Sequence, residues 1–388
     1  MPIVKKILLF FSDFPLFFQS LSLCRNLYFS INSYIFKVMN NNFKVILNNI
    51  EKSLEKALPA EADSKWIKDS FGKLPPVMQG SHFENLISPN KNLIELGGKR
   101  WRPLLMVLCY QMAKKQTAKE LLSEEEIYSL TPLVEFVHTA SLIHDDIEDG
   151  ADLRRGKPAA HITYGTDTAI NAASWLYFEA PVCINNCKIS AEEKLIFYQT
   201  YTQELRRLHL GQAMDIHWHR NPSIFPTEDE YLAMVKNKTG RLASLAAKTG
   251  GIAGGLSESA AEELGNTAAN IGMGFQIIDD VINLTTGNKG KKRGDDIVEG
   301  KKSLPVIMHV CDHPEDKNEI SLCMSQAAAE GPDSPAVEKC ISILEKYGCI
   351  EKAAQKGIAL IKENSAILDS ADIKELFISL VPPEFIKD

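Results

Sequence analysis

No C-x-x-C pair occurs among the eight cysteines of this 388-residue chain, and the one close pair, Cys183 and Cys187, cannot complete a zinc site by itself. Reduced, mostly buried thiols in a cytoplasmic protein are what that pattern predicts. Basic residues are also in short supply. The 43 Lys and Arg against 50 Asp and Glu leave a net charge of −7, which argues against a nucleic-acid-binding surface and makes a metal-dependent site easier to build. Residues 60–388 contain no Pro-, Gly- or Ser-rich linker, no abrupt shift of composition and no repeat of solenoid length, so a single large domain over 39–388 is expected. A succession of alternating strands is missing as well.

The first 38 residues lack what either of two easy readings would need. They are rich in Phe, Leu and Ile, yet Asp13 and Arg25 interrupt them, so no uncharged run approaches the ~18 residues of a membrane span. Lys5 and Lys6 ahead of an apolar run imitate a signal peptide, but no small-x-small cleavage site follows. The readings left for 1–38 are an over-extended translation start, a segment touching a membrane surface and a retained signal-anchor. From Met39 the string MNNNFKVILNNIEKSLEKAL is an ordinary amphipathic first helix.

What is present is helical periodicity. Apolar residues recur every three or four positions over 43–58, 103–115, 124–146, 193–216 and 260–284. Ser123 with Glu126 and Thr227 with Glu230 fit capping boxes. Loops are expected at 72–76, 153–158, 219–226, 285–296 and 330–335. An all-α bundle with long central helices follows.

Two acidic clusters interrupt this pattern. Asp145, Asp146 and Asp149 form D-D-x-x-D, with the first and last one turn apart on a helix face. Carboxylates gathered in this way repel one another unless a cation neutralises them, and Mg²⁺ is suited to one or two carboxylates plus substrate phosphates. A solvated acidic helix end explains the first cluster equally well. The second breaks the tie: Asp279, Asp280 and Asn283 repeat the i, i+1, i+4 spacing 134 residues downstream, behind apolar Ile277 and Ile278 that bring them toward burial. Asn283 could ligate through its amide oxygen. Cations stand near both clusters: Lys99, Arg100 and Arg102 in GGKRWRP, Arg154 and Arg155 in LRRG, Lys238 with Thr239 in KNKTGR, and Lys291 and Lys301 further on. Each pair alone reads as solvated surface; their joint occurrence suits an anionic substrate.

The ordered strings GGKRWRP, HDDIEDxxxLRRGKP, GQxxD, KTG, GFQxxDDxxN and GxDxxEGKxSLP, over roughly residues 80–305, resemble the trans-isoprenyl diphosphate synthases, or polyprenyl synthetases. The resemblance implies an isoprenoid-synthase helical bundle around a deep central cavity, usually a homodimer. It implies head-to-tail condensation of an allylic diphosphate with isopentenyl diphosphate, using several Mg²⁺ ions for which Mn²⁺ can substitute. Carried over by position, Asp145, Asp146 and Asp149 would hold metal on the allylic diphosphate, with Asp279 on its other side, Asp280 in support and Asn283 as a variant last ligand. Arg154, Lys238 and Lys291 would hold that diphosphate, Lys301 would bind substrate as well, and Lys99, Arg102, His138 and Arg155 would hold the diphosphate of isopentenyl diphosphate. Gln212, Thr239, Phe275 and Gln276 would line the reacting region. Glu148 is left without a role.

Product length is read from the residues before the first cluster. Ala140 and Ser141 lie ~7.5 and ~6 Å down the helix axis from Asp145, where short-chain members of the family carry aromatic floors. Two small residues there suggest a product beyond fifteen carbons, and Trp175, Tyr177 and Phe178 resemble the blocking residues of some geranylgeranyl diphosphate synthases, so Tyr177 or Phe178 is expected to cap the tunnel. Two alternatives stay open. A terpene cyclase would need no isopentenyl diphosphate, and a non-catalytic subunit of a heteromeric synthase usually loses its acidic motifs, both of which are intact here.

Overall fold

The computed structural model describes residues 41–287, 292–382 and 385; the 1–38 extension and Lys291 lie outside them. The chain divides into the units Met1–Ile46 and Leu47–Asp388, and the second carries everything below. Of the first, only the opening turn of the helix Asn41–Ala57 is described.

Among the described residues, strand occurs only in the two-residue pair β1 (Leu153–Arg154) and β2 (Lys157–Pro158). The helices that build the site are α1 (Trp101–Thr117), α2 (Pro132–Glu148), α3 (Thr166–Glu179), α4 (Ala191–His219), α5 (Glu228–Lys238), α6 (Gly240–Ala253), α7 (Glu258–Thr285) and α8 (Leu304–Asp312). Both expected capping boxes are formed, and a third, Ser190 with Glu193, opens α4. The expected helix 124–146 is divided. Glu124–Ser129 ends, and Pro132, which has no N–H to give an i−4 carbonyl, starts α2 afresh.

Every residue of α6 is buried, which makes it the central post of the bundle. It packs against α1, α4 and α7. Side chains on its interfaces are small because backbones meet there: a Cβ on Gly250 would collide with the carbonyl of Met106, and one on Gly254 would lie 2.6 Å from the Tyr110 carbonyl. Its two buried cations are answered from neighbouring helices. Lys248 donates to Glu204 at 2.8 Å and pairs with Glu262, while Arg241 stands 3.6 Å from Glu204.

Glu179, at the end of α3, is 6% exposed and accepts a hydrogen bond from the Ser70 hydroxyl at 2.7 Å. Burial outweighs that bond and pushes its carboxyl up to about 7. In the unfolded chain the same carboxyl titrates near ~4.3. Between these values the folded protein holds a proton that the unfolded chain has lost, so stability falls as pH rises through the window and levels off above it. Glu179→Gln is therefore expected to raise stability at about pH 8, by up to ~3 kcal/mol, and to flatten the decline of melting temperature across the window, read by thermal melts in a pH series.

Candidate active site

α2 delivers the first acidic cluster at its C-terminal end, and the chain then turns through the hairpin that carries the two arginines. Asp146 is buried; the Arg154 guanidinium donates to its Oδ1 through Nε at 2.8 Å and also through a terminal nitrogen. Burial raises the Asp146 carboxyl and Arg154 works against it. The next residue points elsewhere: Arg155 donates to the Leu93 carbonyl at 3.3 Å. Arg155 and Gly156 form the hairpin turn with φ of 53° and 77°, the pair of positive angles of a type I′ turn. What looked like a plain loop at 153–158 is thus a tight device that separates two successive guanidinium groups.

Gln212 on α4 reaches across to the same cluster. Its amide nitrogen donates to Asp145 at 2.7 Å and to Glu148 at 2.5 Å, so each amide hydrogen has a carboxylate. This gives Glu148 the partner that sequence reading could not. Burial raises the Asp145 carboxyl first, and Asp149 adds to the rise while Lys238 opposes it. Lys238, at the end of α5, donates to Asp215 at 2.6 Å. Burial would lower its ammonium, but Asp215 and Asp145 outweigh burial and raise it. Lys301 donates to Asp149 at 3.1 Å and pairs with Glu299; the field of Asp296, Asp149 and Glu299 likewise overcomes burial and keeps it charged. Lys238 and Lys301 thus both reach the acidic face from other elements.

The second cluster separates into members with different surroundings. Asp279 is exposed and within electrostatic reach of Lys99. Asp280 is buried, and each of its oxygens has a protein donor, Tyr231 at 2.6 Å to one and Gln276 at 3.0 Å to the other, while the nearby backbone of Leu304, at the start of α8, works with them against burial. Asn283 is 1% exposed, and its amide oxygen accepts from the backbone N–H of Asp296 at 3.2 Å. The oxygens of Asp280 and the amide oxygen of Asn283, expected among the metal ligands, thus each accept from one protein donor. Among the described residues no three His, Cys, Asp or Glu side chains form a preformed ion site.

A recess of about 170 Å³ lies on the other side of the hairpin, lined by Lys99, Arg102, His138 and Arg155, with Arg100 and Glu135 behind. Arg102 Nε is buried without a partner, and an Arg102 terminal nitrogen stands 3.5 Å from His138 Nε2. Burial first, then the surrounding arginines, hold His138 well below the ordinary range for histidine, so its ring is neutral at pH 7. An orphaned guanidinium N–H among cations is an unmet demand for an anion. Arg100 belongs to the scaffold: it is buried, with bonds to Glu51 at 2.8 Å and Glu135 at 2.6 Å.

Thr239 donates to the Gln276 oxygen at 2.9 Å, and Phe275 packs between Trp101 and Phe377 with centroids 5.9 and 6.0 Å away. Of the expected length-setting residues, Ala140 is buried and Ser141 half-buried. Trp175 is taken up by an aromatic cluster, stacked on Phe71 and edge-on to Trp66. Tyr177 stacks on His144 at 5.6 Å, and Asp145 and Glu148 join burial in raising its phenol, which places it at the height of the acidic cluster. Phe178 is 78% exposed on the outer side of α3, whose inner face is Ala169, Ala172, Ala173 and Leu176. The expectation that Phe178 caps a tunnel inside its own chain is withdrawn. Sequence reading also missed Asp215, although it stands in the GQxxD string, and Tyr231, which has no local signal and lies 49 residues from its partner.

Residues 84–344 match the polyprenyl synthetase family. Geranylgeranyl pyrophosphate synthase 2 of Zymoseptoria tritici is 39% identical over 221 residues, 56% of this chain and 63% of that one. A geranylgeranyl pyrophosphate synthase of Gibberella zeae is 33% identical over 292 residues, 74% of this chain and 73% of its own length. The crystal structure of the geranylgeranyl pyrophosphate synthetase of Pyrococcus horikoshii superposes with a TM-score of 0.71 at 27% identity, covering 87% of this chain and 95% of that one. With two thirds of its length matched by the family and its helical bundle shared with a geranylgeranyl pyrophosphate synthetase, the chain belongs to the polyprenyl synthetase family.

Proposed function

We propose that the protein condenses an allylic diphosphate with isopentenyl diphosphate, head to tail, into an all-trans polyprenyl diphosphate, with the twenty-carbon geranylgeranyl diphosphate as product. The observation that carries this reading is the pair of anion sites on either side of one turn, Arg154 beside the acidic cluster and Arg155 in the recess with Lys99, Arg102 and His138. Two diphosphates, held side by side, are what such a pair would bind.

The acidic cluster fits a hard divalent cation. Its donors are all carboxylate oxygens, and Asp146 Oδ2 is buried without a hydrogen-bond partner. Asp145, Asp146, Asp149 and Asp279 are the residues that would hold Mg²⁺, which when bound supplies neutralisation of the charge building on the leaving diphosphate. Lys238, Lys301 and Arg154 add fixed positive charge to the same leaving group. In the recess Lys99, Arg102 and Arg155 fix the second diphosphate, and neutral His138 offers one N–H without further charge. Gln212 keeps Asp145 oriented, and Phe275 with Trp101 walls the reacting region with aromatic surface that excludes water. No side-chain nucleophile is required, because the double bond of isopentenyl diphosphate attacks the allylic carbon as pyrophosphate leaves, and the cation so formed gives a proton to the departed pyrophosphate to restore the double bond. The twenty-carbon product rests on small Ala140 and Ser141 and on the names of the relatives. The assembly is proposed as a homodimer.

The decisive assay incubates the purified chain with labelled isopentenyl diphosphate, Mg²⁺ and, separately, five-, ten- and fifteen-carbon allylic primers, then chromatographs the dephosphorylated products. Geranylgeraniol from each accepted primer is the expected result. Turnover of an allylic diphosphate alone would instead identify a cyclase, and no pyrophosphate release with any primer would identify a non-catalytic subunit.

A further inference from the structure

Tyr231 has no part in the activity as described so far, yet it is one of the largest fully buried side chains of the molecule and carries a phenolic hydroxyl into the core. It sits on α5 eight residues before Thr239, about two turns along the same helix. The hydroxyl donates to Asp280 Oδ2 at 2.6 Å. Asp280 Oδ1 accepts from the Gln276 amide nitrogen at 3.0 Å, and the Gln276 amide oxygen accepts from the Thr239 hydroxyl at 2.9 Å. The four side chains form a chain of three hydrogen bonds, with Tyr231 and Thr239 on α5 and at its end and Gln276 and Asp280 on α7.

Both arms of this chain donate toward Asp280. An ionised carboxylate only accepts, so Asp280 takes the NH₂ end of Gln276 and leaves the amide oxygen facing Thr239. That in turn commits the Thr239 hydrogen to Gln276 and leaves its lone pairs as what the hydroxyl can offer to a neighbouring positive charge. Tyr231, arriving from α5, holds the carboxylate on which this order depends.

We propose that Tyr231 is a positioning residue for prenyl transfer: through Asp280 and Gln276 it fixes the orientation of the Thr239 hydroxyl at the reacting region. The inference rests on the prenyltransferase reading above. Tyr231→Phe removes one oxygen and keeps the ring volume. It is expected to lower kcat about tenfold, as loss of one hydrogen bond to a charged group would, with KM for both substrates within about twofold. In a Thr239→Val background the same substitution is expected to lower kcat by less than about twofold, because the group it positions is already gone. A purely structural tyrosine would give the same loss in both backgrounds, and that outcome, or an undiminished kcat in Tyr231→Phe, overturns the inference. If Tyr231→Phe does not fold, Asp280→Asn takes its place in both backgrounds with the same expectations, since an amide, unlike a carboxylate, can meet either end of Gln276 and so no longer fixes its orientation. An inactive wild-type chain would overturn the prenyltransferase reading and this inference with it, whereas an active wild type beside an unaffected variant overturns the inference alone.

Discussion

Asp145→Asn is expected to lower kcat/KM for condensation by ~10³-fold, with no loss of folded stability. The two halves of this expectation have one cause. Asp145 is held in a buried setting that disfavours its charge, next to Asp149, and Gln212 can donate to an asparagine oxygen as well as to a carboxylate. Removing the charge therefore relieves repulsion in the ligand-free protein, and Lys238 keeps Asp215 as a partner. What disappears is an anionic anchor for the metal on the leaving diphosphate, a transition-state contribution that typically spans 10²–10³ or more per group. Steady-state kinetics at saturating Mg²⁺ and a thermal melt without substrate read the two halves separately. A variant that melts well below wild type, or retains a tenth of its kcat/KM, would refute the account.

The second large effect concerns a residue with no side chain. Gly211 stands on α4 where that helix passes the end of α5; a Cβ there would collide with the backbone nitrogen of Lys238 and come within 2.8 Å of the Asn237 carbonyl carbon. Neither neighbour is the free end of a flexible chain, so the helices would have to part. Overpacking of this kind costs ~1–3 kcal/mol. It also moves Lys238 and Asp215 apart and shifts Gln212, the residue next along, from Asp145 and Glu148. Displacement by ~1 Å at such a site is worth ~10²-fold in rate. Gly211→Ala is thus expected to lose both melting temperature and about two orders of magnitude in kcat/KM. Gly80→Ala, where nothing lies within 4 Å of the added carbon, is the control and should change neither.

The legible part of the molecule was the part written locally. Helix periods, the capping boxes at Ser123 and Thr227, and the D-D-x-x-D spacing depend on residues within a turn or two of one another, and the structure follows them. Pro132 was visible, but the apolar pattern on both sides of it ran on unbroken and hid the new helix start. The partners of the charged residues could not be read. Nothing near Arg100 announces Glu51 or Glu135, and nothing near Asp280 announces Tyr231, because those pairings form only when helices distant in sequence are packed. Asp279 and Asp280 show the limit of the motif itself. Two identical neighbours acquire opposite surroundings, one exposed and one buried with a protein donor on each oxygen, from the rotation of α7 against α5 and α8.

The hairpin at Arg154 and Arg155 has a bearing on how mutational data from this enzyme are to be interpreted. The two guanidinium groups point to different places, Arg154 to Asp146 and Arg155 to the recess, but hang from adjacent positions of one turn, and residue 155 is a non-glycine held at φ 53°. A replacement there changes both the cationic lining of the recess and the preference of the turn for its shape, and the turn also aims Arg154 at Asp146. A weakened affinity for one diphosphate after changing Arg155 would not, taken alone, assign the arginine to that diphosphate. Residue-by-residue attribution fails at this place because the smallest separable unit is the whole turn.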